Sequence, residues 1–180
     1  MAFKARIVSA VFATALGASL ALTAGVPTAS AAAGDSFHPA LPDVIALESA
    51  ASPHCLEAAG WRVDNGAPAQ QWDCTGGANQ KWSLVAGAAG SIVNVNSGKC
   101  LEIANWSNQD GAAAQQWDCT GGWNQKWYWT HIPGTGYTLR NAFSGKCLEI
   151  ALGDNSNGAV GRQWDCWAGN NQIWYPMATN

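Results

Sequence analysis

The stretch CLEIANWSNQDGAAAQQWDCTGGWNQKW, Cys100 to Trp127, decides the fold because the chain spells it three times. It stands first as CLEAAGWRVDNGAPAQQWDCTGGANQKW from Cys55, and last as CLEIALGDNSNGAVGRQWDCWAGNNQIW from Cys147. Each copy places a Glu two residues after its first cysteine and a Trp two before its second. The copies start 45 and 47 residues apart, which makes this a repeat protein. The intervals Cys55–Cys74, Cys100–Cys119 and Cys147–Cys166 are each nineteen residues. Pairing within each unit is the only disulfide scheme that treats the three units alike.

Within a unit, short strand-like runs alternate with turn residues. In the second unit these are SIVNV (91–95), CLEIA (100–104), AAQQWDC (113–119) and QKWYW (125–129), separated by NSGK, NWSNQDG and TGGWN. VIALES opens the first unit and YTLRN the third. No segment outside the N-terminal leader holds a helical period over ten residues. Three repeats (about 44–89, 90–135 and 136–180) of four strands predict an all-β fold. Three units are too few for a propeller of the usual 4–8 blades, so a closed, capped barrel with threefold pseudosymmetry fits better. Alternation sends Leu101 and Ile103 to the core and Cys100 and Glu102 away from it. Gln125 and Trp127 are expected to share one strand face, with Trp82, Trp127 and Trp174 in the core.

The first residues read differently. Lys4 and Arg6 precede an apolar run from Ile7 to Ala24, and TASAAAG follows Pro27. That layout predicts a secretory signal over residues 1–31, cut after Ala31, and a short linker over 32–43. Export makes disulfides chemically permissible and predicts an extracellular location. The whole chain carries nine Lys/Arg and twelve Asp/Glu; losing Lys4 and Arg6 leaves seven against twelve, a net charge of −5. An acidic chain without a basic cluster is a poor ligand for nucleic acid or an anionic membrane. A zinc site would need a CxxC-type spacing with His partners, and none is present. No cofactor is expected, and a monomer is.

The nineteen-residue cysteine interval, the CLE, QQWDC and NQKW segments and their threefold repetition resemble the ricin-type β-trefoil lectins. The short CTGGxNQKW turn is similar to the bacterial family 13 carbohydrate-binding modules. The resemblance covers about residue 44 to the end. It implies a β-trefoil whose sugar contacts come from the acid two after the first cysteine, the aromatic two before the second and the Asn before QxW. These positions are Glu57, Trp72 and Asn79; Glu102, Trp117 and Asn124; and Glu149, Trp164 and Asn171. The position four before the second cysteine also lines the family's pocket, here Gln70, Gln115 and Arg162. The Gln of QxW, here Gln80, Gln125 and Gln172, is implied to orient the acid. The family's acid is normally Asp; the Glu here reaches about 1.5 Å further, one C–C bond.

The chemistry of these residue types agrees. An indole face covers the C–H patch of a pyranose, a carboxylate accepts from neighbouring hydroxyls, and an amide supplies both donor and acceptor. If the cysteines of a unit face each other across antiparallel strands, Glu57, Glu102 and Glu149 lie opposite Trp72, Trp117 and Trp164. Trp106 and Trp123 make the second unit the strongest candidate. The first has Trp61 but Ala78, and the third has Arg162 and Trp167. Glycoside hydrolysis needs two carboxylates in one cleft; one Glu in each candidate pocket predicts binding without catalysis. The expected partner is carbohydrate, either a cell-wall polysaccharide or a galactosylated glycan. The alternative is a protein-binding or inhibitor trefoil with degenerate sugar sites.

Overall fold

A computed structural model describes residues 41–179. The predicted signal segment and most of the linker lie outside the described residues. The elements repeat in fours: β1 (Val44–Ser49), β2 (His54–Ala58), β3 (Ala69–Asp73) and β4 (Trp82–Val85) form the first unit. The second holds β5 (Ser91–Asn94), β6 (Cys100–Ile103), β7 (Ala114–Trp117) and β8 (Trp127–Ile132). The third holds β9 (Gly136–Asn141), β10 (Cys147–Ile150), β11 (Gly161–Trp164) and β12 (Trp174–Ala178).

The first and last strands of the units close a barrel. β1 pairs with β12 and β4, β4 with β5, β8 with β9, and β9 with β12. A bridge between Gly90 and Trp127 joins the β5 and β8 sides. The middle strands form three antiparallel hairpins, β2–β3, β6–β7 and β10–β11. Bridges Pro68–Gln115, Ala113–Arg162 and Gln70–Val160 join the hairpins into a triangular cap. This is the expected β-trefoil.

Apolar side chains repeat in threes because the core has that symmetry. Ile45, Ile92 and Leu139, Leu56, Leu101 and Leu148, and Trp82, Trp127 and Trp174 are all fully buried in one cluster. A buried indole N–H needs an acceptor. Trp82, Trp127 and Trp174 donate from Nε1 to the carbonyls of Leu56, Leu101 and Leu148 at 2.9, 3.0 and 3.2 Å. Each indole thereby ties its unit's last strand to its second.

The units interlock in a ring. Gln116 donates to the carbonyls of Arg62 and Asp64, and Gln163 to those of Ser107 and Gln109. Gln71 closes the ring on the carbonyls of Asp154 and Ser156. Beside these buried amides, Asn65 exchanges two hydrogen bonds with Asp118, and Asn157 does so with Asp73. At the third joint Asp110 accepts from the Asp165 amide, and Lys146 bridges the Asp110 and Asp165 carboxylates at 2.8 and 2.5 Å. Those two carboxylates hold the Lys146 ammonium above its ordinary range. Lys99 and Asn65 likewise hold Asp118 below the usual carboxylate range.

Disulfides form within each unit, Cys55–Cys74, Cys100–Cys119 and Cys147–Cys166. Their cysteines are not opposite one another, which corrects the expected register. Cys100 faces Trp117, and Glu102 faces Gln115. Likewise Glu57 faces Gln70 and Glu149 faces Arg162. The β7 strand ends at Trp117, so Cys119 leaves the ladder before bonding back to Cys100 and need not keep its register. The error is two residues, and a shift of two preserves the face. Glu and Trp therefore still share one side of the hairpin. A second correction concerns Gln125, which sits in the turn Trp123–Gln125 rather than in the strand, which begins at Trp127.

Candidate carbohydrate site

The face of each hairpin away from the barrel core carries one pocket. In the second unit, Glu102, Asn105, Trp106, Gln115, Trp117, Thr120 and Asn124 line a cavity of about 220 Å³. The first pocket, of about 270 Å³, is lined by the equivalent Glu57, Gly60, Trp61, Gln70, Trp72, Thr75 and Asn79. The third contains Glu149, Arg162, Trp164 and Asn171, with Leu152 and Trp167, and measures about 720 Å³.

Each Glu is buried, 3–5% exposed, and a buried carboxylate must be satisfied. Gln115 donates to Glu102 Oε1 at 2.9 Å, while Asn124 and Gln125 donate to Oε2 at 3.2 and 2.9 Å. In the first pocket Gln70, Asn79 and Gln80 make the same bonds to Glu57 at 2.9, 3.0 and 3.3 Å. In the third, Arg162 Nε replaces the Gln on Glu149 Oε1 at 2.9 Å, with Asn171 and Gln172 on Oε2. A carboxylate offers about four lone-pair positions; three are used, and a fourth remains for a donor from outside.

Gln80, Gln125 and Gln172 stand behind the acid and line none of these three pockets. Each also grips the turn: Gln125 donates to the Asp118 carbonyl at 2.8 Å and accepts from the Thr120 amide at 2.8 Å. The Asn residues differ from expectation. Asn124 spends its amide hydrogens on Glu102 and on the Ile103 carbonyl. Its Oδ1, like that of Asn79, is buried and accepts no hydrogen bond within the protein. In the first and second pockets the amide therefore has an acceptor, not a donor, to offer.

Two indoles line each pocket. Trp117 and Trp164 end their strands and Trp72 stands one residue before the end of its own, at 39, 37 and 41% exposure. Loop glycines of the preceding unit at positive φ, Gly66 for Trp117, Gly111 for Trp164 and Gly158 for Trp72, lie close against them. The second indole is Trp61 in the first pocket and Trp106 in the second. Both Trp residues adopt φ of +60° and +52°, a region disfavoured for bulky residues, and strain of this kind clusters at ligand-holding positions. The ring of Trp106 rests on Gly122, where a Cβ would come within 2.7 Å of both Trp106 and Asn124 Oδ1.

Gly122 has an ordinary φ of −60°, so substitution there acts through contact alone. Gly122→Ala is expected to cost about 1–3 kcal/mol by overpacking and to displace Trp106. The checks are a lowered thermal midpoint and a shifted Trp106 indole N–H resonance.

In the third unit the position of Trp61 and Trp106 is Gly153, and the second indole comes from Trp167, directly after the second cysteine. Its ring lies over Gly169, the counterpart of Gly77 and Gly122. The sequence signal was the exchange itself: Trp with Thr in two units, Gly with Trp in the third. The next unit also supplies each rim. Asn96 Nδ2 donates to the Trp61 carbonyl, Phe143 meets Trp106 edge-on at 5.2 Å, and small Ala51 lines the third pocket. Ala51 and Gly153 together leave the third pocket the widest.

Trp106 lines the second pocket, but Trp123 lines a separate hollow with Tyr128 and Lys126. Each pocket holds a single carboxylate among its described lining residues. Neighbouring acids are engaged elsewhere: Asp118 with Lys99, Asp165 with Lys146, and Asp73 with Asn157. Among the described residues no helix is long and apolar enough to cross a membrane.

Comparison with known proteins places these features. The designed 3-fold symmetric protein ThreeFoil is 31% identical, with 76% of this chain and 99% of that one covered at a TM-score of 0.74. An exo-beta-1,3-galactanase from Clostridium thermocellum, 1,3Gal43A, is 32% identical at a TM-score of 0.72; the match covers 76% of this chain and 31% of the galactanase. The C-half of the earthworm R-type lectin, solved with GalNAc, shares the fold at 18% identity, TM-score 0.59, over 76% of this chain and 98% of that one. No curated protein matched the chain. The family description ricin-type beta-trefoil lectin domain matches residues 43–174. On that match, together with its threefold hairpins and pockets, the chain belongs to the ricin-type β-trefoil lectin family.

Proposed function

We propose that this lectin domain acts outside the cell, binding a polysaccharide of the galactan or xylan type through its three Glu/Trp/Asn pockets without catalysing any reaction on it. The observation that carries the reading is the buried, unpartnered Oδ1 of Asn79 and of Asn124 beside a carboxylate with one open lone-pair position. An unsatisfied buried acceptor costs about 1–3 kcal/mol, and two sugar hydroxyls donating to this pair remove that cost. The two exposed indoles supply apolar area for the C–H faces of the ring. Similarity to a galactanase makes galactan the first polymer to try.

One shallow pocket binds weakly; a Kd of about 1 mM corresponds to about −4 kcal/mol. Several pockets on one rigid body gain avidity for a polymer without new contacts. In native gels containing galactan, arabinogalactan or xylan, the oxidised protein is expected to be retarded by one of them. The triple variant Trp72→Ala, Trp117→Ala, Trp164→Ala is expected to run freely. Equal mobility of both proteins in every gel would overturn the reading and favour a protein partner.

A further inference from the structure

The third pocket departs from the other two in charge as well as in size. In the first two, the Glu is held by a neutral Gln amide, so the pocket keeps its full negative charge. In the third, Arg162 takes that place with its Nε 2.9 Å from Glu149 Oε1. Holding the acid does not need a cation, since Gln70 and Gln115 do it at the same distance. The guanidinium carbon lies over the Trp164 ring, 4.4 Å from its centroid, so Glu149 and the indole both hold the group. Its side chain is 18% exposed and lines the cavity. Only Nε is spent on Glu149, and the two Nη groups donate to no other described residue. A guanidinium edge with two N–H groups side by side matches the two oxygens of a carboxylate.

We propose that the third pocket takes a sugar bearing a carboxylate, a uronic acid residue, while the first and second take neutral sugars. The inference rests on the carbohydrate-binding reading above. Glu149 and Arg162 together leave the third pocket neutral, so an anionic ligand meets no net repulsion there. In the first and second pockets the lone carboxylates of Glu57 and Glu102 repel such a ligand. The greater volume, about 720 Å³ against 270 and 220 Å³, leaves room for the extra carboxylate beside the ring. Leu152, 88% exposed, and Ala51 place apolar surface at the same rim.

The test follows tryptophan indole N–H resonances during titration with galacturonic acid and, separately, with its methyl ester, which keeps the ring and removes the charge. Trp164 and Trp167 are expected to respond to the acid with about tenfold tighter apparent binding than to the ester. That preference is expected to fall as salt is raised. Trp72 and Trp117 are expected to respond to the ester and not to the acid. Arg162→Gln installs the residue that two units already carry, so it is expected to fold. It should abolish the acid preference at Trp164 while leaving the responses of Trp72 and Trp117 unchanged. Arg162→Lys keeps the charge but loses the paired donors, and should retain only part of the preference. Ester binding with no acid preference at Trp164, or a preference untouched in Arg162→Gln, would overturn this inference alone. Silence of every indole toward both sugars, alongside free mobility in all polysaccharide gels, would overturn it together with the reading on which it rests.

Discussion

Reduction of the three disulfides is expected to unfold the protein at room temperature. Each bridge closes a loop of nineteen-residue separation, and the chain-entropy model gives about 3 kcal/mol for a loop of that size. Three such losses sum to roughly 9 kcal/mol, against a total stability of about 5–15 kcal/mol for an ordinary domain. The bridges are also placed where the loss is felt, since each staples the end of a hairpin strand to the segment that leads into its pocket. The expected observation is a collapse of near-ultraviolet circular dichroism on adding a phosphine reductant, and its return on reoxidation. Removing the bridges singly, as paired Cys→Ala variants, should lower the urea midpoint in three comparable steps. A reduced protein with native spectrum and midpoint would mean that the barrel core alone holds the fold.

Trp127→Ala is expected to be the most damaging single substitution, costing about 3–5 kcal/mol. The indole is fully buried, so its removal leaves a large cavity at the centre of the barrel. It also leaves the Leu101 carbonyl without the N–H that reaches it at 3.0 Å. Trp127→Phe separates the two effects, since it keeps most of the volume and loses the bond; about 1–3 kcal/mol is expected for that variant. The same substitutions at Trp82 and Trp174 should give similar losses, because each indole makes the same contact in its own unit. Urea unfolding followed by far-ultraviolet circular dichroism measures all six variants on one scale.

The trefoil was legible in the sequence because three features recur in register. The cysteine interval marks the hairpin, the QxW tryptophan marks the barrel strand, and alternation around Leu101 marks the core face. The pairing register was misread because two bonded cysteines need not face each other when one has left the ladder. The face assignment survived because the error was even. The pocket's acceptor character could not be read either: where the two hydrogens of Asn124 go depends on the Ile103 carbonyl, twenty-one residues away. The second indole of the third pocket was hidden by its change of position, from the residue aligned with Trp106 to Trp167. Trp123 misled in the opposite sense, lying near Asn124 in sequence but lining another hollow. The ring of contacts between units spans 53, 55 and 84 residues, beyond the reach of any local pattern.

That ring bears on how such a protein could have begun. No unit is complete by itself: the buried amide of Gln71, Gln116 or Gln163 finds its carbonyls only in a neighbour's loop. The indole of each pocket likewise rests on a glycine from that neighbour. A free ancestral unit would have satisfied these groups only in other copies of itself, and three copies close the circle. The present chain supplies the three copies covalently, so each unit finds both neighbours without association. In a joined chain each copy can change alone, and the third differs from the other two at this pocket, with Arg162, Gly153 and Trp167 where they carry Gln, Trp and Thr.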